Sequence, residues 1–159
     1  MASVTLISIG SLKENYLKDA VAEYKKRISQ YAKVEEVELR EERISNEDDR
    51  GEIARALDRE ADKILAAIPR GSYTVALCVE GKEVSSEGLA DIVREACDST
   101  GKLTVIIGSS HGLSERVKAE CRLRLSFSRL TFPHQLMRVV LSEAIYRSFT
   151  IIHGKRYHK

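Results

Sequence analysis

Five short runs of aliphatic and β-branched residues alternate along this chain with segments whose apolar residues recur every three or four positions. Such alternation of strand and helix patterns is typical of a parallel sheet covered by helices. The run KLTVIIG is apolar throughout, as a strand that is buried on both faces requires. The sequence therefore predicts an α/β fold, a single domain with a mostly parallel sheet flanked by helices.

Two of the predicted elements carry further expectations. The second strand, KVEEVELR, spaces its apolar residues irregularly among charges, which favours a position at the edge of the sheet. The last helix begins near Pro133, whose fixed φ and missing N–H suit a first helical turn. The predicted strands span 3–9, 33–40, 72–79, 102–108 and 123–128, and the predicted apolar face of the first helix comprises Tyr16, Leu17, Ala20, Val21, Tyr24, Ile28 and Tyr31.

The charge of the chain is unevenly distributed although its sum is small. A length of 159 residues with 43% hydrophobic residues suffices for one domain with a real core, and the formal net charge is only +2. The segment from Cys121 to Lys159 contains a single acid, Glu143. This basic end is the predicted surface for phosphate groups. Its basic residues are Arg122, Arg124, Arg129, Arg138, Arg147, Lys155, Arg156 and Lys159.

The three cysteines, Cys78, Cys97 and Cys121, are odd in number, widely spaced and without a C-x-x-C pair. They fit neither a disulfide framework nor a zinc site, so we expect a reducing compartment and no bound metal. The N-terminal MASVTLISIG lacks the basic start and long apolar run of a signal peptide, and no apolar stretch approaches the ~20 residues that span a bilayer. We therefore expect a soluble cytoplasmic protein that does not bind membranes.

Glycine or short polar residues follow three of the predicted strands, in LCVEGK, IIGSSHG and FSRLTFP. Ligands of open parallel sheets bind beyond the carboxyl ends of the strands, where glycine lets them approach the backbone. Each stretch taken alone is more simply interpreted as an ordinary strand-to-helix turn. The chain contains neither G-x-G-x-x-G nor G-x-x-x-x-G-K-[ST], which disfavours a Rossmann dinucleotide site and a P-loop NTPase.

The polar candidates for a site lie mainly in TFPHQLMR and in the C-terminal tail. His134 in the first turn of the last helix fits a surface position and a site position equally well. Arg138 lies one turn later on the same helix face, next to a strand end, and is interpreted as functional. His111 in the turn SSHG is interpreted as a solvated turn residue. The tail of Tyr157, His158 and Lys159 is either a frayed terminus or a stacking and cationic surface for RNA.

The chain lacks the motifs of enzymes that transfer acyl groups through a nucleophile. It has no G-x-S-x-G elbow, and no cysteine has a histidine nearby in sequence. What remains is a set of backbone amides, hydroxyls, a histidine and arginines. Such a site is suited to holding a cofactor that brings its own reactivity.

The C-terminal stretch LSFSRLTFPHQLMRVVLSEAIYRSFTIIHGKRYHK strongly resembles the signature of the RlmH family, the large-subunit ribosomal RNA methyltransferases of the SPOUT class. The resemblance extends to ALCVEGKEVSSEGLA, to VIIGSSHGLSERV and to LKENYLKDAVAEYKKRI after the first strand. It covers essentially the whole chain and is weakest across the acidic loop from Glu41 to Asp49. This resemblance implies that the protein is a homodimer and that its C-terminal segment forms a trefoil knot. It also implies that S-adenosylmethionine binds in the knot.

By matching positions, the resemblance also implies where the cofactor binds. Ser109 stands where the family commonly has a second glycine, which alters the loop slightly. We expect a side chain at Gly108 to occupy ligand space, so that Gly108→Val abolishes cofactor binding and leaves the fold intact. The implied cofactor residues are Leu77, Gly108, Phe127, Ser128, Arg129, Leu130, Thr131 and Phe132.

The reaction implied by the family is methylation of ring nitrogen 3 of a pseudouridine in 23S ribosomal RNA, with the assembled ribosome as the expected substrate. Such a transfer needs alignment of the nucleophile, loss of an imide proton and a cation near the developing anion. Arg138 is the expected cation, and His134, Tyr157 and His158 are expected to position the base or accept the proton. Helix residues beyond the narrow stripe, such as Val139 and Ile152, suggest that the last helix also forms the dimer interface.

Two other classes of function are compatible with the residues alone. A non-enzymatic RNA-binding or assembly factor would use the same basic C-terminal surface without a small-molecule pocket. A flavodoxin-like nucleotide-binding enzyme fits the length and the strand alternation. Its weakness is the stretch SIGSLKEN after the first strand, which lacks a phosphate-binding loop rich in Ser and Thr.

Overall fold

The computed structural model describes residues 1–159, which form five strands and five helices in strict alternation. The elements are β1 (Ala2–Ile9), α1 (Asn15–Ile28), β2 (Ala32–Leu39), α2 (Arg50–Ala67), β3 (Tyr73–Glu83), α3 (Ser86–Ser99), β4 (Lys102–Ile107), α4 (Glu115–Glu120), β5 (Leu123–Ser126) and α5 (His134–Ile152). No helix combines the length and the apolar character that a crossing of the bilayer requires.

The strands form one sheet in the order β2-β1-β4-β3-β5, and every neighbouring pair is parallel. The predicted α/β class with a parallel sheet is therefore confirmed. The predicted edge position of the second strand is also confirmed, because β2 pairs only with β1. All five carboxyl ends of the strands consequently lie along one side of the sheet, which is where a ligand site is expected.

The helices cover both faces of the sheet. On one face α1, α3 and α5 pack over a core that includes Ile28, Val93 and Leu141. On the other face α2 and α4 cover a smaller core around Ile64 and Val117. The strand β4 contributes to both cores, as expected for its continuous apolar run: Leu103, Val105 and Ile107 face the first core, and Ile106 faces the second.

The third strand is longer than predicted. It continues to Glu83, beyond the predicted end at Val79, and its pairing with β5 shifts register between Leu77 and Lys82. A Cβ built on Gly81 would lie 2.6 Å from the carbonyl carbon of Leu125, so only glycine fits at this close approach. Gly81, which in the sequence suggested the end of a strand, therefore lies within an irregular part of β3.

The predicted apolar face of α1 is largely correct but includes one wrong residue. Leu17, Val21 and Ile28 are buried, whereas Tyr16 in the first turn is 70% exposed. A period of three to four residues does not distinguish a core position from the exposed flank at the end of a helix. The side chain of Tyr16 instead belongs to the surface beside the start of α1.

The start of α5 differs from the starts of α2 and α3. Side chains cap α2 and α3, where Asp49 accepts from the N–H of Glu52 and Ser85 accepts from the N–H of Gly88. Pro133 precedes α5 without a side-chain cap, and its carbonyl accepts the first helical hydrogen bond, from the N–H of Met137. The predicted helix start near Pro133 is confirmed, and this proline fixes the direction in which α5 leaves β5.

Candidate functional site

A cavity of about 740 Å³ opens at the carboxyl ends of β3, β4 and β5. Its walls come from the segments 77–80, 107–113, 125–128 and 130–134, together with Lys118 and Met137. These segments contain the three strand ends that the sequence singled out. Their convergence follows from the sheet order, since β4, β3 and β5 are consecutive neighbours and run in the same direction.

The predicted cofactor residues lie together at this cavity with one exception. The side chain of Arg129 is 91% exposed, does not line the cavity, and has its nearest carboxylate, that of Glu83, at 3.9 Å. Because Arg129 is exposed, the loop between β5 and α5 places no arginine or lysine side chain in the cavity wall. The predicted residues that line the cavity are Leu77, Gly108, Phe127, Ser128, Leu130, Thr131 and Phe132.

The loop after β4 is tightly folded on itself. A Cβ on Gly108 would lie 2.6 Å from the carbonyl carbon of Gly112, and the N–H of Gly112 donates to the carbonyl of Ser109 at 2.9 Å. The Oγ of Ser109 accepts from the N–H of His111 at 3.3 Å. Gly108 is therefore also required by its own loop, so a valine there must displace the backbone around Gly112. That Gly108→Val leaves the fold as a whole intact stays a prediction.

Hydroxyl groups shape the loop between β5 and α5. The Oγ of Ser126 donates to the carbonyl of Ser128 at 3.0 Å, and the Oγ of Ser128 accepts from the N–H of Leu130 at 2.9 Å. These bonds turn the chain so that Phe127 and Phe132 line the cavity while the side chain of Leu130 is left 73% exposed. Both serines of SFSRL, Ser126 and Ser128, thus shape the loop between β5 and α5.

Both histidines near the strand ends reach the cavity. His134, the first residue of α5, is half-buried in its wall. His111 also lines it, and its Nε2 lies 2.6 Å from an oxygen of Glu47 in the loop between β2 and α2. The interpretation of His111 as a solvated turn residue is therefore wrong. It connects the loop after β4 to the acidic loop that follows β2.

Arg138 lies near the start of α5 but does not line the cavity. Its side chain is only 6% exposed, and its guanidinium donates to Glu38 at 2.6 Å with Glu36 at 3.7 Å. Both acids belong to β2, at the edge of the sheet farthest from β5. Arg138 does lie one turn after His134 in α5, but within one chain its guanidinium pairs with β2 and does not line the cavity.

The C-terminal tail is packed against its own chain. The ring of Tyr157 lies edge-on to Tyr146 at 4.8 Å, and its hydroxyl donates to Glu143 at 3.3 Å. Burial, reinforced by the Glu143 carboxylate, raises the pKa of Tyr157 to about 12. His158 lies between Arg147 and Glu87, with Nε2 at 2.9 Å from the carboxylate. Neither tail side chain lines the cavity, although neither is a frayed end.

Acids, three of them from elsewhere in the chain, pair with much of the basic C-terminal segment. Lys155, Arg156 and Lys159 are exposed and form no ion pair, so the predicted phosphate surface is narrower than the sequence suggested. The pairs are Arg122 with Glu95, Arg124 with Glu115, Arg138 with Glu38, and Arg147 with Glu143.

Sequence reasoning missed two charged residues of the cavity, Glu80 on β3 and Lys118 on α4. They form an ion pair across a separation of 38 residues, and the Lys118 ammonium holds the pKa of Glu80 below its usual range. No motif joins EGK to ERVKAE, so only the fold brings them together. Cys78 lines the same wall, where burial raises the pKa of its thiol and so favours the protonated form.

Known proteins resemble this chain over almost its whole length. A protein-family model described as predicted SPOUT methyltransferase matches residues 2–158. A protein named ribosomal RNA large subunit methyltransferase H from Caldicellulosiruptor bescii is 47% identical over 98% of this chain and 99% of its own. A protein of the same name from Listeria monocytogenes is 45% identical over 99% of each chain.

The solved structures include a probable methylase family protein from Haemophilus influenzae, which has a TM-score of 0.54 and 12% identity over 98% of this chain and 70% of that chain. This likeness supports the fold. The resemblance to the RlmH family that the motifs indicated is confirmed by the sequence relatives. The chain belongs to the SPOUT methyltransferase family.

Proposed function

We propose that this protein transfers a methyl group from S-adenosylmethionine to ring nitrogen 3 of a pseudouridine in 23S ribosomal RNA, acting in the cytoplasm on the assembled ribosome. The observation that carries the proposal is the cavity at the ends of β3, β4 and β5, which gathers most of the residues implied for the cofactor. The names of the relatives, ribosomal RNA large subunit methyltransferase H, support a large-subunit RNA substrate.

The cavity suits S-adenosylmethionine in size and chemistry. Its volume of about 740 Å³ lies within the range of roughly 300–1,000 Å³ typical of cofactor sites. The tight loop at Gly108 presents backbone to the ligand, while Phe127 and Phe132 supply apolar surface for an adenine ring. When bound, the cofactor supplies a methyl group activated by its sulfonium centre.

The remaining task of the protein is to hold the target base and to assist loss of the imide proton. His134 is the titratable side chain that α5 brings to the cavity, and we assign it to positioning the base or accepting the proton. The assignment of Arg138 as the cation for the imide stays a prediction. It requires the guanidinium to exchange Glu38 for the substrate.

We further propose that the working enzyme is a homodimer with a trefoil knot in its C-terminal segment. Exposed apolar side chains on α1 and α5, Tyr16 and Leu136, support an interface through these helices. The register shift between β3 and β5, where Gly81 passes close to Leu125, is an irregularity consistent with such a knot. Since Tyr157 and His158 do not reach the cavity of their own chain, any role in the site requires a partner subunit.

The test is methyl transfer from radiolabelled S-adenosylmethionine to ribosomes that lack the modification, followed by mass spectrometry of the labelled RNA fragment. We expect one methyl group on a pseudouridine, and no transfer to ribosomes that carry uridine at the same position. Free 23S RNA and isolated subunits, assayed in parallel, test the requirement for the assembled ribosome. Ribosome binding without cofactor binding or transfer would instead support the non-enzymatic RNA-binding class.

A further inference from the structure

Apart from two histidines, the charged side chains that line the cavity are those of Lys118 and Glu80, which are opposite in sign. Among the lining residues, Lys118 is the only lysine or arginine and Glu80 is the only carboxylate. The side chain of Lys118 is 13% exposed, whereas that of Glu80 is 54% exposed. The two form a hydrogen-bonded ion pair, and Glu115 lies 3.8 Å from the same ammonium.

The residues implied for the cofactor leave one of its groups without a partner. The amino-acid end of S-adenosylmethionine carries a carboxylate, which needs a cation or several donors when it leaves water. Of the eight implied residues only Arg129 is charged, and its guanidinium lies outside the cavity at 91% exposure. The cavity wall itself contains one lysine or arginine that could bind this carboxylate, Lys118.

We propose that Lys118 binds the carboxylate of the cofactor and thereby selects ligands that carry the complete amino-acid end. The inference rests on the proposed use of S-adenosylmethionine. A largely buried ammonium requires an anion, and Glu80 meets this requirement while the cavity is without ligand. Because Glu80 is half-exposed, it returns to water at little cost when the cofactor carboxylate replaces it. Charge-assisted bonds of this kind are stronger than bonds between neutral groups.

The experiment is calorimetry of the full-length protein and its Lys118→Met variant with two ligands, S-adenosylmethionine and methylthioadenosine. Methylthioadenosine retains the nucleoside and the sulfur but lacks the amino-acid end. We expect Lys118→Met to bind S-adenosylmethionine about tenfold or more weakly than the wild type, because a charge-assisted bond is lost, and to bind methylthioadenosine unchanged. Lys82→Met is the matched control, since Lys82 is an exposed lysine of β3 that does not line the cavity.

The possible results separate the inference from the proposed function. Wild-type affinity of Lys118→Met for S-adenosylmethionine would overturn the role of Lys118, as would an equal loss for both ligands, which indicates a distorted cavity. An Arg129→Met variant tests the rival cation, and a selective loss in that variant alone would assign the carboxylate to Arg129. If the wild type binds neither ligand, the proposed function fails, whatever the variants show.

Discussion

Gly108 is required by its own loop and is also one of the proposed cofactor contacts. A Cβ at this position would lie 2.6 Å from the backbone of Gly112, so even alanine forces the loop after β4 to open. We predict that Gly108→Ala lowers the free energy of unfolding by about 1–3 kcal/mol and also weakens cofactor binding. Chemical denaturation and calorimetry measure the two effects.

The matched control for this change is Gly51→Ala. Gly51 lies in the first turn of α2, where the nearest atoms to a new Cβ are side-chain ends of Arg55 and Asp49 at 3.2 and 3.3 Å. Alanine is the better helix residue there, so stability is expected to stay constant or rise, with unchanged cofactor affinity. Normal stability and binding in Gly108→Ala would show that the loop tolerates a side chain.

Glu60 on α2 is a buried carboxylate whose charge lowers the stability of the fold at neutral pH. It is 3% exposed; its Oε2 accepts from the N–H of Glu42 at 2.9 Å, and its Oε1 has no hydrogen-bond partner. Burial, assisted by the neighbouring charge of Glu41, raises the pKa of Glu60, while the Glu42 amide and Lys63 oppose the rise.

The raised pKa of Glu60 fixes the sign of a pH dependence. The folded state binds a proton that the unfolded state has already released, so stability falls as pH rises from the ordinary range of a glutamate towards the raised value. We predict that Glu60→Gln removes this slope and raises the free energy of unfolding at neutral pH by about 0.5–2 kcal/mol. Denaturation curves across pH check this, with the exposed Glu120→Gln as control. A less stable Gln variant at neutral pH would contradict the argument.

At the scale of elements, the ion pair of Arg138 joins α5 to β2. Its guanidinium is buried, and Glu38 also accepts from the N–H of Leu12 at 3.3 Å, so the pair holds together α5, β2 and the loop after β1. We predict that Arg138→Ala destabilises the fold by about 1–3 kcal/mol, since a hydrogen-bonded charge loses its partner.

A double-mutant cycle with Glu38→Gln isolates this interaction. A coupling energy near zero would show that the pair does not stabilise the contact between α5 and β2. Residual methyl transfer, corrected for the folded fraction, then tests the catalytic assignment separately. A folded Arg138→Ala protein that methylates ribosomes normally would remove Arg138 from the chemistry.

The elements themselves were largely predictable, because strand and helix periods are local properties of the sequence. All five strands lie where the apolar runs placed them, and the three strand ends meet as the rule for parallel sheets requires. The failures concern properties set by distant neighbours. The extension of β3 depends on the contact of Gly81 with β5, and the direction of Arg138 depends on acids about a hundred residues away in sequence.

At the scale of the whole molecule, the charge of the surface was also not predictable from the sequence, because ion pairs join residues that are distant in the chain. The basic C-terminal segment suggested a broad phosphate surface, but carboxylates from α3, α4 and β2 pair with several of its arginines. The cations left free, Lys155, Arg156 and Lys159, lie in the last five residues. A surface for ribosomal RNA built on them is therefore concentrated at the tail, next to Tyr157.

The position of the tail leads to a prediction about the proposed dimer. Tyr157 and His158 contact Glu143, Arg147 and Glu87, none of which lines the cavity, so within one chain they do not reach the site. We predict that deletion of residues 157–159 leaves cofactor affinity and dimerisation nearly unchanged but removes most methylation of ribosomes. The physical reason is the loss of a stacking ring, typically worth ~1–3 kcal/mol per base, and of nearby cations.

Subunit exchange decides whether the tail acts across the dimer. The truncated protein keeps His134 at its cavity, and a His134→Ala protein keeps its tail, so each homodimer alone is expected to be nearly inactive. If the tail serves the partner, mixing the two creates heterodimers with one complete site, which restores roughly a quarter of the wild-type sites under random exchange. Methyl transfer to ribosomes before and after mixing measures this, with sedimentation to confirm the dimer. A mixture that stays inactive would place each tail at its own cavity, and full activity of the truncated homodimer would show that the tail has no role in the reaction.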